Sequence, residues 1–428
     1  MTDGGSDRPP EQVPEPKTGG DYAPSVAARL ALLQRAGGIA TPLATVVFAF
    51  AMGGLVVLLS TGKNPLATYK AIFNGTGLNW FFEVGSYKVG LPWSDAKVWF
   101  PWNVNDIEST AAFNLQQTLI IYIPLVLTGL AVAFAFRCGM FNIGGLGQFL
   151  VGVYAAVYMG THFGGMTHWG HVLLAIFVAT IAGALWAGIA GFLKATVGAH
   201  EVISTIMLNW IAIYVGAFLF GRDGPLQNET DKNVPVSNDI LDSAKLDVFW
   251  GDPILQGVHV GLLAALAALV VYWITLNRTT LGYEVRAVGF NPEAARYGGI
   301  NVSRNYFLAM AISGAFAGLA GGLDIVGWQF RIGVLDIFDQ DIAFIGIAVA
   351  LLGRNTAIGV GLSAMLFAGL VQGTSTRNLD PEVFRPELAQ NLTLIIQGLV
   401  VLFVGADVLI LYVWSLRRKL GLAKGASP

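Results

Sequence analysis

The residues of this 428-residue chain that could engage a small molecule are amides, hydroxyls and a carboxylate set into apolar sequence. The stretch Arg137-Cys138-Gly139-Met140-Phe141-Asn142-Ile143-Gly144-Gly145-Leu146-Gly147-Gln148 opens an apolar run with four glycines and two amides. Glycine costs about 1 kcal/mol in a helix interior and frees backbone groups, so this density predicts a broken helix facing protein or a polar cavity. Asn142 and Gln148, with Phe141 beside them, are candidate substrate contacts, although the same glycines would equally serve close helix packing. In the run His200 to Trp210, Glu201, Thr205 and Asn209 recur every four residues with Ser204 alongside, which puts them on one helix face. An amide in a membrane is costly unless it faces a cavity or a partner, so Thr205 and Asn209 are candidate lining residues, or alternatively interhelical glue. Glu201, at the start of that run, suits a helix cap or a gate. These groups bind; they do not form a catalytic constellation. The five histidines, His162, His168, His171, His200 and His259, fall at the ends of apolar runs and do not converge at depth. Cys138 is the only cysteine, which excludes an intrachain disulfide and a thiolate metal cluster. No catalytic residue and no metal ligand is expected.

The elements that must position these residues follow from composition. Apolar residues make up 54% of the chain and charged ones 12%, against about 25% charged in an ordinary soluble domain. A net charge of −2 offers no basic surface for nucleic acid. A spanning helix needs about 20 apolar residues, and windows of that kind lie near 41–60, 113–135, 142–160, 171–194, 202–220, 257–276, 306–325, 340–352, 356–373 and 391–413. The expected fold is therefore an all-α integral membrane protein of about ten transmembrane helices in contact with lipid. The eighth window is too short for a simple crossing and should be tilted, broken or continuous with the residues before it. Arginines in the 277–305 connection and the Arg417-Arg418-Lys419 cluster orient both termini toward the cytoplasm. Spans 2–5 and 7–10 then begin on opposite sides, as in two inverted repeats.

The expected organisation is a disordered cytoplasmic tail at 1–38, without the pattern of a cleavable signal peptide, a transmembrane permease domain at 39–415 and a basic cytoplasmic tail at 416–428. Within it, 79–112 and 221–256 should be extracytoplasmic insertions, the first rich enough in tryptophan to suit interfacial helices. The 281–300 connection reads as a cytoplasmic docking helix. Asn291 can cap it, Pro292 suits the first helical position, Glu293 favours the positive end, and Gly298 or Gly299 can end it. Gly314, Gly318 and Gly322 form a small-residue face for close packing. Asp324, Trp328, Phe330, Asp339 and Asp341 cluster beyond it as a further polar and aromatic group near the outer mouth.

Together, the stretches 137–148, 200–210, 281–300 and Gly346 to Asn355, with Lys63-Asn64-Pro65 and Tyr69-Lys70-Ala71-Ile72-Phe73, resemble a known family. They are similar to permease subunits of bacterial ATP-binding cassette importers in the ribose and branched-chain amino acid transporter superfamily, nearest its nucleoside branch. The resemblance covers roughly 41–415; the polar tail and the 79–112 segment depart from it. It implies a subunit of the bacterial cytoplasmic membrane that moves nucleosides, with pentoses, simple sugars or another small polar solute as the alternative. It also implies a coupling helix at Glu293-Ala294-Ala295 through Gly298, with Glu284, Arg286, Asn291 and Arg296 as further coupling residues. The partners it implies are a related second permease in a heterodimer, a cytoplasmic ATPase and an extracytoplasmic substrate-binding lipoprotein. The chain has no Gly-x4-Gly-Lys-Ser/Thr loop, so ATP and Mg belong to the ATPase partner and this chain is expected to bind no cofactor. Two rivals, an ion-coupled carrier and an intramembrane enzyme, would both need ionisable groups deep in the spans, and the clearest charges lie at their ends.

Overall fold

A computed structural model describes residues 46–59, 64–81, 88–91, 94–99, 110–230, 232–251 and 257–375, with a few positions between 394 and 402. The expected 1–38 and 416–428 tails and most of the tenth span lie outside the described residues. The helices are α1 (Val46–Leu59), α2 (Pro65–Gly75), α3 (Thr110–Arg137), α4 (Gly145–His162), α5 (His168–Val197), α6 (Glu201–Phe220) and α7 (Gly261–Arg278). They continue with α8 (Thr280–Phe290), α9 (Pro292–Tyr297), α10 (Val302–Asp324), α11 (Val334–Phe338), α12 (Ile342–Leu352) and α13 (Ala357–Gly373). Among the described residues, five helical segments are long and apolar enough to cross a membrane: Thr110–Arg137, His168–Val197, Glu201–Phe220, Gly261–Arg278 and Val302–Gln329.

Local chemistry sets the helix starts. Side chains of Asn64, Thr279, Asn291, Asn301 and Thr356 accept first-turn backbone N–H groups of α2, α8, α9, α10 and α13, which would otherwise lack partners. The eighth window, 340–352, holds the 11-residue α12, and the short α11 lies just before it. At 1.5 Å per residue, α12 covers only about 16 Å, roughly half a bilayer core.

The packing separates protein-facing from lipid-facing surface. Ile123, Leu125, Val126, Leu127 and Leu130 of α3 are completely buried. In contrast, Leu173, Phe177, Leu185 and Phe192 of α5, Ile203 and Phe218 of α6, and Leu263 and Val270 of α7 are exposed. So large an exposed apolar surface on three apolar helices has hydrocarbon as its solvent. The small-residue face of α10 meets α5 and α4 backbone to backbone. A Cβ added at Gly318 would lie 2.4 Å from the Ala179 carbonyl oxygen, and one at Gly314 would lie 2.3 Å from that of Gly183. These glycines are packing residues.

Two short antiparallel hairpins qualify the all-α expectation. Lys88–Leu91 (β1) pairs with Ser94–Trp99 (β2), with Lys88 opposite Trp99 and Val89 opposite Val98. The segment whose tryptophans suit interfacial helices thus contains strands. Val248–Trp250 (β3) pairs with Val258–His259 (β4) inside a folded cap. That cap is tied down by backbone bonds from Leu241 N to Gly160 O (2.8 Å), Ile240 N to Phe330 O (2.8 Å) and Leu246 N to Val326 O (2.7 Å). Buried His171 lies within 2.9 Å of both Ser243 Oγ and Met159 O. Buried His259 packs against Gly327, and burial pushes its imidazole down to about 4, so it is neutral at neutral pH.

Gly318→Ala should therefore lower the thermal stability of the detergent-solubilised protein by about 1–3 kcal/mol through overpacking. Gly164→Ala, whose Cβ would meet only Leu241 at an ordinary 3.5 Å, should leave the melting curve unchanged. Equal melting of the two variants would contradict the close α5–α10 contact.

Candidate functional site

The glycine-rich stretch is the break between α3 and α4. Gly139 ends α3 at φ +74°, and Met140 N returns to Ala135 O at 3.1 Å. The chain then turns on Asn142, whose Oδ1 accepts from Gly144 N at 2.9 Å and from Gln148 Nε2 at 3.0 Å. Asn142 Nδ2 donates to Gln148 Oε1 at 2.9 Å and to Ser313 Oγ at 2.7 Å, and Ser313 Oγ passes a bond on to Ala131 O at 2.5 Å. Asn142 and Gln148 thus form a reciprocal amide pair, 0% and 1% exposed, bracing α3, α4 and α10.

Helix α6 completes the seam. Asn209 Oδ1 accepts from Gly147 N at 2.8 Å, and its Nδ2 donates to Ile143 O at 3.0 Å. A side chain on one span therefore caps the start of another. Thr205, fully buried, donates to Val202 O at 3.1 Å and lies against Gly144, where an added Cβ would come within 2.9 Å of the threonine Cβ. Glu201 pairs with Lys194 at 2.8 Å across the α5–α6 turn. The polar stripe of α6 is thus one face, as its spacing requires, and it looks into the protein. The opposite face, with Met207, Trp210, Ile211, Tyr214, Val215 and Phe218, borders an apolar groove. In this conformation the polar groups of Asn142, Gln148, Thr205 and Asn209 bond to the protein itself, and Phe141 is half-buried against Phe136 with ring centroids 5.0 Å apart.

The 281–300 connection is a helix pair. Asn291 Oδ1 accepts from Glu293 N at 3.0 Å and Ala294 N at 3.1 Å, Pro292 begins α9, and Gly298 N bonds back to Ala294 O at 3.0 Å. Of α9 only Ala295 is buried; Glu293, Ala294 and Arg296 of the helix, and Gly298 after it, are exposed. Glu284 and Arg286 lie on α8 and bond within the protein. Glu284 Oε2 accepts from Asn305 Nδ2 at 2.9 Å, and Arg286 Nε donates to Gly282 O at 3.2 Å.

Helix α8 rests directly on the α3–α4 break. A Cβ on Gly289 would lie 2.3 Å from Arg137 O, and one on Gly139 would lie 3.3 Å from Gly289 Cα. Cys138 Sγ donates weakly to Asn305 O at 3.7 Å, so Asn305 joins α8 to the break as well. The same region is clamped to the α12–α13 turn. Arg354 and Asn355 there have φ of +50° and +54°, a region unfavourable for residues with a Cβ. Arg137 Nε and Nη2, at 3.0 and 2.8 Å, and Tyr272 Oη, at 2.8 Å, all donate to Asn355 O.

Sequence reasoning did not assign roles to Ser313, Asn305 or the Arg137–Asn355 clamp. Ser313 stood at the start of a glycine stripe, and Asn305 had no periodic partner. The residue pair Arg354-Asn355 after an apolar helix was a usable turn signal, since asparagine tolerates the left-handed region better than most. Beyond α10, Asp324 is buried and accepts from Gln329 Nε2 at 2.5 Å across a π-helical turn, Ile325–Gln329, while Asp339 and Asp341 are exposed. Phe330 lies under Lys245, 5.2 Å from Nζ to the ring centroid. Among the described residues no cluster of three or more metal-ligating side chains occurs.

Apolar spans joined at an internal polar seam, with a capped helix pair beside it, define a multi-pass membrane protein. Residues 114–405 match the family described as the branched-chain amino acid transport system permease component. The chain is 35% identical over 398 residues to the guanosine ABC transporter permease protein NupP of Bacillus subtilis, covering 91% of this chain and 99% of that one. It is 31% identical over 356 residues to the nucleoside ABC transporter permease protein NupB of Lactococcus lactis (81% and 87% covered). It is also 33% identical over 370 residues to the glucose ABC transporter permease protein TsgB13 of Haloferax volcanii (85% and 86% covered). The chain belongs to this family of ABC transporter permeases, and is a transport protein rather than an enzyme.

Replacing Asn209 with alanine strips partners from Gly147 N and Ile143 O, at a cost of about 1–3 kcal/mol for buried groups left unpaired. Hydrogen exchange over residues 141–148 should accelerate in Asn209→Ala and stay unchanged in Met207→Ala on the opposite face. Unchanged exchange in both would show that α6 does not cap α4.

Proposed function

We propose that this chain is the permease subunit of an ATP-binding cassette importer that carries nucleosides across the cytoplasmic membrane of a bacterium by alternating access. The observation that carries the nucleoside assignment is its similarity along nearly the whole chain to permeases named for guanosine and nucleosides. A glucose permease of similar identity makes a sugar the second reading.

In this reading both termini and the α8–α9 pair face the cytoplasm, the ten spans contain two inverted repeats, and the β3–β4 cap faces outward toward a substrate-binding lipoprotein. A cytoplasmic ATPase, using ATP and Mg, moves α9 through Asn291, Glu293, Ala294, Ala295, Arg296 and Gly298. Motion passes through α8, with its Glu284–Asn305 bond and Arg286, to the α3–α4 break by the Gly289–Gly139 contact. There Asn142, Gln148, Thr205 and Asn209, beside Phe141, exchange protein partners for the hydroxyls and ring edges of the solute. A related second permease completes the path. The differential contacts that such a switch needs are supplied by amides able to bond either to helix ends or to substrate.

Uptake of labelled guanosine and glucose by cells with and without this chain tests the reading. Loss of guanosine uptake alone upon deletion is expected; loss of glucose uptake alone would favour the sugar reading and overturn the nucleoside assignment. In the reconstituted transporter, the double variant Glu293→Ala/Arg296→Ala should retain ATP hydrolysis while uptake falls at least about tenfold, and full uptake would contradict coupling through α9.

A further inference from the structure

Helices α5 and α6 are joined by the short turn 198–200 and by the Lys194–Glu201 ion pair at 2.8 Å, which closes the base of the hairpin they form. Eight residues back from Lys194 stands Trp186, and eight residues on from Glu201 stands Asn209. At 1.5 Å per residue both lie about 12 Å from the ion pair, level with each other on the two arms. They also meet at one place on α4. A Cβ added at Gly147 would lie 3.0 Å from Trp186 Nε1 and 3.0 Å from Asn209 Oδ1, so only glycine leaves room for both.

The two groups differ in their bonding. Asn209 Oδ1 accepts from Gly147 N at 2.8 Å. Trp186 Nε1 is buried and has no partner among the described residues. The other seam side chains, Asn142, Gln148, Thr205 and Ser313, are all bonded. An indole nitrogen can only donate, and folded interiors leave few buried donors unpaired. An idle donor beside an acceptor that is already occupied is suited to a bond made in a second arrangement of the helices. Were α6 to leave α4, Asn209 Oδ1 would lose Gly147 N and be stranded in apolar surroundings. The turn and the ion pair keep α6 beside α5 through such a step, so Trp186 stays within reach. Direct contact with the solute suits this ring less well, because it is half-buried against the core of the bundle.

We propose that Trp186 is a positioning residue of the transport cycle. When α6 separates from α4, the indole N–H takes Asn209 Oδ1 over from Gly147 N. Helices α5 and α6 then move as one hairpin, and no acceptor is left bare. The proposal rests on the importer reading and adds to it the group that replaces Gly147 N in the second state.

The test uses the reconstituted transporter and whichever of labelled guanosine and glucose the parent protein imports. Trp186→benzothienylalanine puts sulfur in place of the indole N–H and keeps the size of the ring. Its melting temperature should equal that of the parent, because the resting state gives the N–H no bond to lose. Its maximal uptake rate should fall about fivefold or more, the loss expected for one buried hydrogen bond, at an unchanged half-saturation concentration. Trp186→Phe, which also lacks the donor, should reproduce the loss of rate. Full uptake by the isostere variant would overturn the positioning role and leave the importer reading intact. A lowered melting temperature would show that the N–H is already bonded in the resting state, through a buried water, and would overturn it as well. A raised half-saturation concentration at full maximal rate would make Trp186 a solute contact instead and contradict the proposal. Import of neither solute by the parent would overturn both readings.

Discussion

Every backbone polar group within the hydrocarbon must find a partner inside the protein, and in this chain that constraint is most demanding where α3 stops and α4 begins. Unbroken helices satisfy themselves; a break leaves N–H and C=O groups exposed at both of its edges. Asn142, Gln148 and Asn209 meet this need with side-chain amides, which offer donor and acceptor together. Because Asn209 belongs to α6 and Ser313 to α10, the break can exist only while four helices stand in register around it.

That dependence divides the bundle into two kinds of contact. Helices α4, α5 and α10 meet through glycine and alanine, with backbones too close to admit another Cβ at Gly183, Gly314 or Gly318. Such interfaces resist sliding. Helix α6 keeps few of its residues buried and is joined to α4 by individual hydrogen bonds, among them Tyr154 Oη to Ala212 O at 3.0 Å. Bonds of that kind can be exchanged for bonds to a polar solute at little net cost, because each is worth only about 1 kcal/mol over its alternatives. The seam is therefore held by exchangeable hydrogen bonds where the neighbouring interfaces are held by close packing.

Much of this was legible in the residues. Among the described residues, apolar runs located the corresponding helices to within a few positions, the four-residue spacing of Glu201, Thr205 and Asn209 placed them on one face, and Asn291-Pro292 announced a capped helix. The targets of those side chains were not legible. Whether an amide faces water or a helix end 62 residues away, as Asn209 faces Gly147, depends on packing that no local pattern encodes. For the same reason, α8 could not be read as a helix that seats Gly289 on the α3–α4 break. The strands near 88–99 were obscured by tryptophans that fit either a hairpin or an interfacial helix. Among the described residues five segments have the length and apolarity to cross, whereas Val46–Leu59, Ala357–Gly373 and the half-length α12 are apolar but shorter.

The coupling mechanism requires α9 to lie in the cytosol, next to α8, whose Gly289 sits on the α3–α4 break. The chain lends itself to a direct determination, since its only cysteine, Cys138, is buried at 1% exposure and replaceable. A single thiol placed at the exposed Glu293 position, as Glu293→Cys in a Cys138→Ser background, can be challenged with a membrane-impermeant maleimide. Modification in inside-out vesicles, with none in intact cells, is the expected result. Modification in intact cells would put α9 on the outer face and contradict the cytosolic lever.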